Sequence, residues 1–233
     1  MVSRRIAFLL VLVIGMLGGC TPSPDTSGPL PEGRGLVDES ATQLRELRSV
    51  RFQVSLSGTV PGLSIREVDG VATRQGGEYG FASGDADVQE HTDRVQYRFL
   101  LSGDRLRLTD KDGNTSERPV PAEFSPARLL DPERGLYQLL EKASGLTTEG
   151  REELDGVSSY RVTGELSRSV VSALVPGIDA DVDVKFWVAE GKNRDLLRLW
   201  IQIPPRQKNE GSVMLEVALS EHNAPVRESS DAS

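Results

Sequence analysis

The stretch "VDVKFWVAEGKNRDLLRLWIQI" (182–203) decides how this chain folds. Val182, Val184, Phe186 and Val188 stand at every second position, and Leu197, Leu199, Ile201 and Ile203 repeat the pattern after a polar break. Successive side chains of a strand point to opposite faces, so a period of two marks strands with one buried and one wet side. The pattern recurs outward from here. Val213, Leu215, Val217 and Leu219 form a last strand. Upstream, Phe52, Val54 and Leu56 alternate with Arg51, Gln53, Ser55 and Ser57, and Val95, Tyr97, Phe99 and Leu101 alternate as cleanly. Further strands are expected over 64–72, around Leu106 and Leu108, and over 146–153 and 157–164, the last two joined by Asp155-Gly156. Residues 76–90 are poorly patterned and predict only a short strand around Tyr79–Phe81. Pro61-Gly62 and Asp112-Gly113 supply turns, where positive φ costs glycine little.

Elsewhere the period lengthens. Leu36, Val37, Ala41, Leu44 and Leu47 fall at helical spacing. Ser125-Pro126 and Asp131-Pro132 each join an N-cap residue to a proline at the first helical position. The second pair opens "DPERGLYQLLEKAS" (131–144), with Leu136, Tyr137, Leu139 and Leu140 as its buried side. A short helix over 167–175 stops at Pro176-Gly177. The total is an α+β domain: a long antiparallel sheet with one polar face and a few helices on the other.

The N-terminus carries a different message. Arg4 and Arg5 precede an apolar run from Ile6 to Leu17, which is shorter than the roughly 20 residues needed to span a bilayer. A basic start, an apolar middle and small residues before a cut site make residues 1–19 a secretory signal. The chain's single cysteine follows at Cys20. Leu17-Gly18-Gly19-Cys20 resembles the lipobox of bacterial lipoproteins, whose cysteine receives a diacylglycerol and becomes the new N-terminus. One thiol cannot form an internal disulfide, so it is free for acylation. Residues 20–35 are Pro-, Gly- and Ser-rich and read as a flexible tether. One domain is then expected over 36–224, followed by a loose tail over 225–233.

Composition excludes several functions. The formal charge is −8, and loss of Arg4 and Arg5 with the signal makes it −10. An acidic surface without a basic cluster argues against nucleic acid and against electrostatic attachment to anionic lipid. His91 and His222 are the only histidines, and HExxH, CxxC and GxSxG are all missing. Asp179, Asp181 and Asp183 share the strand face opposite Val182 and Val184 and read as a solvated acidic face. Asp110, Asp112 and Asn114 superficially match a calcium loop. Gly113 occupies the fourth position rather than the sixth, which fits a hairpin turn better. No catalytic residue, metal ligand or cofactor site is expected, and the chain is read as non-enzymatic.

Several segments in one order carry a family resemblance: "GPLPEGRGLVDESATQLRELRSV" (28–50), "GTVPGLSIREVDGVAT" (58–73), "FSPARLLDPERGLYQLLEKAS" (124–144), "EGREELDGVSSYRVTGELS" (149–167) and "VDVKFWVAEGKNRDLLRLWI" (182–201). Together they resemble the LppX/LprAFG family of actinobacterial lipoproteins, most closely its LprG branch. The charged stretch 76–94 departs from the pattern and aligns poorly. The resemblance implies a strongly curved antiparallel half-barrel with helices across its concave face and an apolar cavity between them. It implies a ligand that is an acylated lipid or glycolipid, carried through the envelope from the outer face of the cytoplasmic membrane. It also implies an efflux-type membrane transporter as a partner.

The residues expected to line that cavity are Phe52, Val54, Leu56, Val95, Tyr97, Phe99, Val162, Val184, Phe186, Leu199 and Ile201. Alternation by itself does not separate a hollow interior from a filled one. A lipoprotein with a closed core that binds or regulates an envelope protein is the competing reading.

Overall fold

The computed structural model describes residues 24–207 and 210–226. The signal segment expected over 1–19, the acylation expected at Cys20 and the last seven residues of the expected tail lie outside the described residues. The apolar alternation becomes strands β1 (Ser49–Ser57), β2 (Ile65–Thr73), β3 (Phe81–Glu90), β4 (Asp93–Ser102), β5 (Arg105–Asp110) and β6 (Thr115–Pro119). After an interval they continue as β7 (Ser144–Leu154), β8 (Val157–Leu166), β9 (Val182–Ala189), β10 (Leu196–Ile203) and β11 (Val213–Ser220). The helices are α1 (Gly33–Glu46), α2 (Pro126–Leu129), α3 (Tyr137–Glu141) and α4 (Arg168–Leu174).

All eleven strands join one antiparallel sheet in the order β6-β5-β4-β3-β2-β1-β11-β10-β9-β8-β7. The first and last strands meet in the middle, Val54 opposite Val217 and Leu56 opposite Leu215. β6 and β7 are the two edges and do not pair, so the sheet is a half-barrel rather than a closed one. This order explains the roof. The chain leaves β6 at one edge and must reach β7 at the other, and the connection that crosses carries α2 and α3. α2 packs on β2 and β3, while α3 packs against α1 and α4.

Curvature has a local cause. Gly70 and Gly84 face each other across β2 and β3. A Cβ on Gly70 would stand 2.2 Å from the Ser83 carbonyl oxygen, and one on Gly84 1.9 Å from that of Asp69. Glycine within a strand marks a place where backbone approaches backbone at a corner. Phe52 lies opposite Gly70 and Phe99 opposite Gly84, and both rings pack into one apolar cluster with Ala72, Ala82, Leu101 and Val120. Aromatic rings thus flank the apolar surface that the glycines leave bare.

Four expectations need correction. Residues 81–90 form a full ten-residue strand rather than a short one near Tyr79–Phe81. Ala82, Gly84 and Ala86 supply its inner face, and such small residues hide the apolar period. Second, α1 begins at Gly33, three residues before the first apolar position. Third, no continuous helix follows Asp131. Its carboxylate accepts from the Glu133 and Arg134 amides at 2.7 and 2.9 Å, and the Leu136 amide folds back to the Leu129 carbonyl at 2.8 Å. Gly135 fits this fold-back because a Cβ there would lie 2.4 Å from the Leu129 oxygen. The helix is therefore only Tyr137–Glu141. Fourth, the register of β10 shifts between Leu196 and Arg198, so Leu196 and not Leu197 is buried in the core beside Leu199 and Ile201.

The turns follow their residues. Asp155 and Gly156 both have positive φ (50° and 81°), the form that suits a two-residue hairpin between twisted strands. Asp110 accepts hydrogen bonds from the Asp112 amide and from the Asn114 amide and side chain at 2.8–2.9 Å, so its carboxylate holds the hairpin.

Candidate lipid site beneath the curled sheet

Cross-strand register brings the expected lining residues onto one face. One row runs Tyr97, Ala86, Val68, Val54, Val217, Leu199, Phe186 and Val162. A second runs Leu56, Leu215, Ile201 and Val184. Phe52 and Phe99 flank the glycine corner, and Val95 pairs with Val88 at the far end of β3 and β4. Every one of the eleven residues therefore looks to the side that carries the helices.

The two halves of this face differ. On β8–β10, Val162 and Phe186 have no accessible surface, and Val184, Leu199 and Ile201 have almost none. They pack against Leu36, Val37 and Leu44 of α1, Leu139 and Leu140 of α3, and Val171 and Leu174 of α4. On β1–β5, Leu56, Ala82, Phe99 and Leu101 are buried as well, but Phe52, Val54, Val68, Ala86, Val95, Tyr97, Leu106 and Leu108 are only half-buried. The roof residues above, Leu129 and Leu136 with Val170 and Val175, are likewise half-buried. The result is an apolar trough that runs from the glycine corner toward the centre of the sheet. Its continuation under α1 is filled.

A polar rim marks one end of the trough. The Tyr97 hydroxyl donates to Glu90 Oε1 at 3.1 Å, and Arg118 lies 4.0 Å from the same carboxylate. Burial, and then the Glu90 carboxylate beside it, hold the Tyr97 phenol above its ordinary value. Such a rim can bond to a headgroup while the floor takes hydrocarbon.

The roof is tied at its margins. Arg128 donates to the Arg134 carbonyl at 2.8 Å and to the Ala173 carbonyl at 3.1 Å, which joins α2 to the end of α4. Arg45 bonds to Glu141 at 2.7 Å and covers the Tyr137 ring at 4.3 Å, joining α1 to α3. These are partly exposed polar contacts, each worth little individually. Beneath them is apolar packing.

The outer face is polar and carries its own order. Arg161 bridges Glu149 (2.6 Å) and Glu152 (3.5 Å), and Lys185 reaches Glu149 at 3.3 Å. Trp187 donates its indole N–H to Glu152 and meets Trp200 edge-on, with ring centres 4.7 Å apart. Of the acidic trio expected on one strand face, only Asp183 lies on β9; Asp179 and Asp181 precede the strand, Asp179 pairing with Arg168 and Asp181 accepting from the Arg168 amide at 2.7 Å at the start of α4. Open clefts of about 310 and 460 Å³ lie on this face, lined by residues such as Asp183, Lys185 and Trp200 in one and Asp69, Asp85 and Arg98 in the other. Their linings are mixed, with Val184, Trp200 and Met214 beside the charged groups of the first, and a third cleft of about 400 Å³ is bordered by Leu154, Val157 and Leu197.

The LppX_LprAFG lipoprotein family model matches residues 32–227. The chain belongs to that family. Within it, LprG of Mycolicibacterium smegmatis, named a lipoarabinomannan carrier protein, is 28% identical over 89% of this chain and 88% of its own. LprF of Mycobacterium bovis, named a putative diacylated glycolipid transporter, is 26% identical over 88% of this chain and 79% of its own. The crystal structure of LprF superposes with a TM-score of 0.72 at 23% identity, covering 86% of this chain and 97% of that one. That of Mycobacterium tuberculosis LppX gives 0.64 at 25% identity, over 83% and 96%. These establish the LppX_LprAFG fold and place the chain with the LprG branch.

The strand residues of the candidate site were legible in the sequence, and Leu136 was read there as a buried position. Leu129 and Val170 were not singled out, because they stand in helices of four and seven residues, too short to show a period. Ala86 and Val68 were also missed, because glycine and aspartate interrupt the alternation around them.

Proposed function

We propose that this lipoprotein binds the acyl chains of a glycolipid under its half-barrel and carries them across the cell envelope, without catalysing a reaction. The observation that carries this reading is the half-buried apolar trough on β1–β5, in a chain whose relatives are named as glycolipid carriers. Exposing three chains of about 16 carbons to water would cost on the order of 35–40 kcal/mol, at roughly 0.8 kcal/mol per CH₂. A surface patch cannot offset that, so a carrier must enclose its cargo. The trough is a place to start enclosing it, and displacement of α2, α3 and α4 would extend the space toward Phe186. Phe52, Val54, Val95, Tyr97 and Phe99 would contact hydrocarbon first. Leu56, Val162, Val184, Phe186, Leu199 and Ile201 would do so once the roof lifts.

Cys20 is the proposed lipid attachment point, which would hold the domain on the outer face of the cytoplasmic membrane. Among the described residues no helix is long and apolar enough to cross a bilayer. An efflux-type transporter is the proposed partner that supplies or accepts the lipid. The close packing on β8–β10 favours one competing reading, a closed interaction module. The test that separates them is organic-solvent extraction of protein purified from its native host, followed by mass spectrometry. The carrier reading expects a stoichiometric acylated glycolipid; an extract free of lipid would favour the closed module.

A further inference from the structure

Residues 25–31, expected to be slack, are bound along the outer edge of β7. Asp25 and Arg151 exchange two backbone hydrogen bonds, at 2.7 and 2.8 Å. The Arg151 guanidinium donates to the carbonyls of Ser27 (2.8 Å) and Pro29 (3.0 Å), and the Thr148 hydroxyl donates to that of Pro31 (2.7 Å). The chain then enters α1 through Gly33, where a Cβ would lie 3.0 Å from Val162 Cγ1 and 3.2 Å from the backbone of Leu146 and Thr147. An open strand edge is a row of unpaired donors and acceptors, and this segment covers part of it.

The covalent consequence is a short reach. Cys20 is five residues before Asp25, and at about 3.5 Å per extended residue the link spans no more than about 18 Å. Were the segment free as far as Gly33, the reach would be about 45 Å. We propose that residues 25–31 form a docked strap, which holds the β7 edge beside the bilayer surface and leaves the β6 edge the more distant of the two. The proposal rests on Cys20 as the site of lipid attachment. Chain length sets this orientation and lipid charge does not, since the same end of the sheet exposes Glu153 and Asp155. The partner surface is therefore the headgroup layer of a membrane, met edge-on.

A direct test couples Cys20 to a maleimide-headgroup phospholipid in phosphatidylcholine vesicles, which supplies the anchor chemically. A fluorophore is placed through an azide-bearing residue at position 153 on β7 or 117 on β6, and quenching by a nitroxide-headgroup lipid is measured. The strap predicts several-fold stronger quenching at 153 than at 117. It also predicts that Arg151→Ala combined with Thr148→Val, with circular dichroism unchanged, removes most of the difference. Equal quenching at the two positions in the unaltered protein would overturn it. If the double variant does not fold, exchange of the Asp25 and Arg151 amides in the unaltered protein decides: protection supports the strap, and rates of an unstructured chain refute it. Whether the cell acylates Cys20 is read separately, from the mass of protein extracted from membranes, so the anchor and the strap can fail independently.

Discussion

At the scale of single residues, the shape of the sheet depends on two side chains that are absent. Gly70 and Gly84 leave room for backbones to meet at the corner, and crowding of this kind costs about 1–3 kcal/mol. Gly84→Ala is expected to lower unfolding stability by that amount or more in urea titration, and an unchanged midpoint would show that the corner tolerates a Cβ. Asp87, buried on the outer face, makes a second case. The Arg94 hydrogen bond and charge hold its carboxyl below the ordinary aspartate value of 3.8. A depressed carboxyl contributes stability that is complete above the unfolded value and vanishes as pH falls through the folded one. Asp87→Asn is therefore expected to lower stability at neutral pH and to flatten the acid limb below pH 3.8. Urea midpoints measured across that range check it; parallel acid limbs for the two proteins would contradict it.

At the scale of elements, strands and turns were legible wherever apolar residues alternated or glycine stood at a turn. β9, β10, β11 and β4 could be read for that reason. β3 could not, because Ala82, Gly84 and Ala86 bury small surfaces and its other face is Asp85 and Asp87. The roof was harder still. α2 and α3 have four and five residues, and their place is set by the need to cross from β6 to β7 rather than by periodicity. Marginal polar ties close this roof, and the clearest is Arg128 between the Arg134 and Ala173 carbonyls. Exposed bonds of this kind contribute up to about 1–1.5 kcal/mol. Arg128→Ala is expected to cost no more than that while speeding lipid transfer between vesicles several-fold, followed by dequenching of a fluorescent glycolipid. Slower transfer with normal folding would mean that Arg128 binds cargo and does not latch the roof.

At the scale of the whole molecule, the face that carries the site was legible and its contents were not. Alternation placed all eleven candidate residues on the helix side, yet period two is the same for a packed core and for a hollow. The structure divides them: β8–β10 hold a close-packed core under α1, and β1–β5 hold a trough with a polar rim. The two halves are expected to respond differently to truncation. Phe186→Ala removes a fully buried ring and should cost about 3–5 kcal/mol. Val54→Asp in the half-open trough should instead abolish glycolipid binding with much less loss of stability, as read by lipid-overlay mass measurement beside urea titration.

The most direct measurement is photocrosslinking with a glycolipid that carries a diazirine on its acyl chain, followed by peptide mapping of the adducts. The account predicts adducts on Phe52, Val54, Val95 or Tyr97, reaching the β8–β10 residues only when the roof lifts. Adducts confined to the outer face, or none with a lipid that binds, would contradict it.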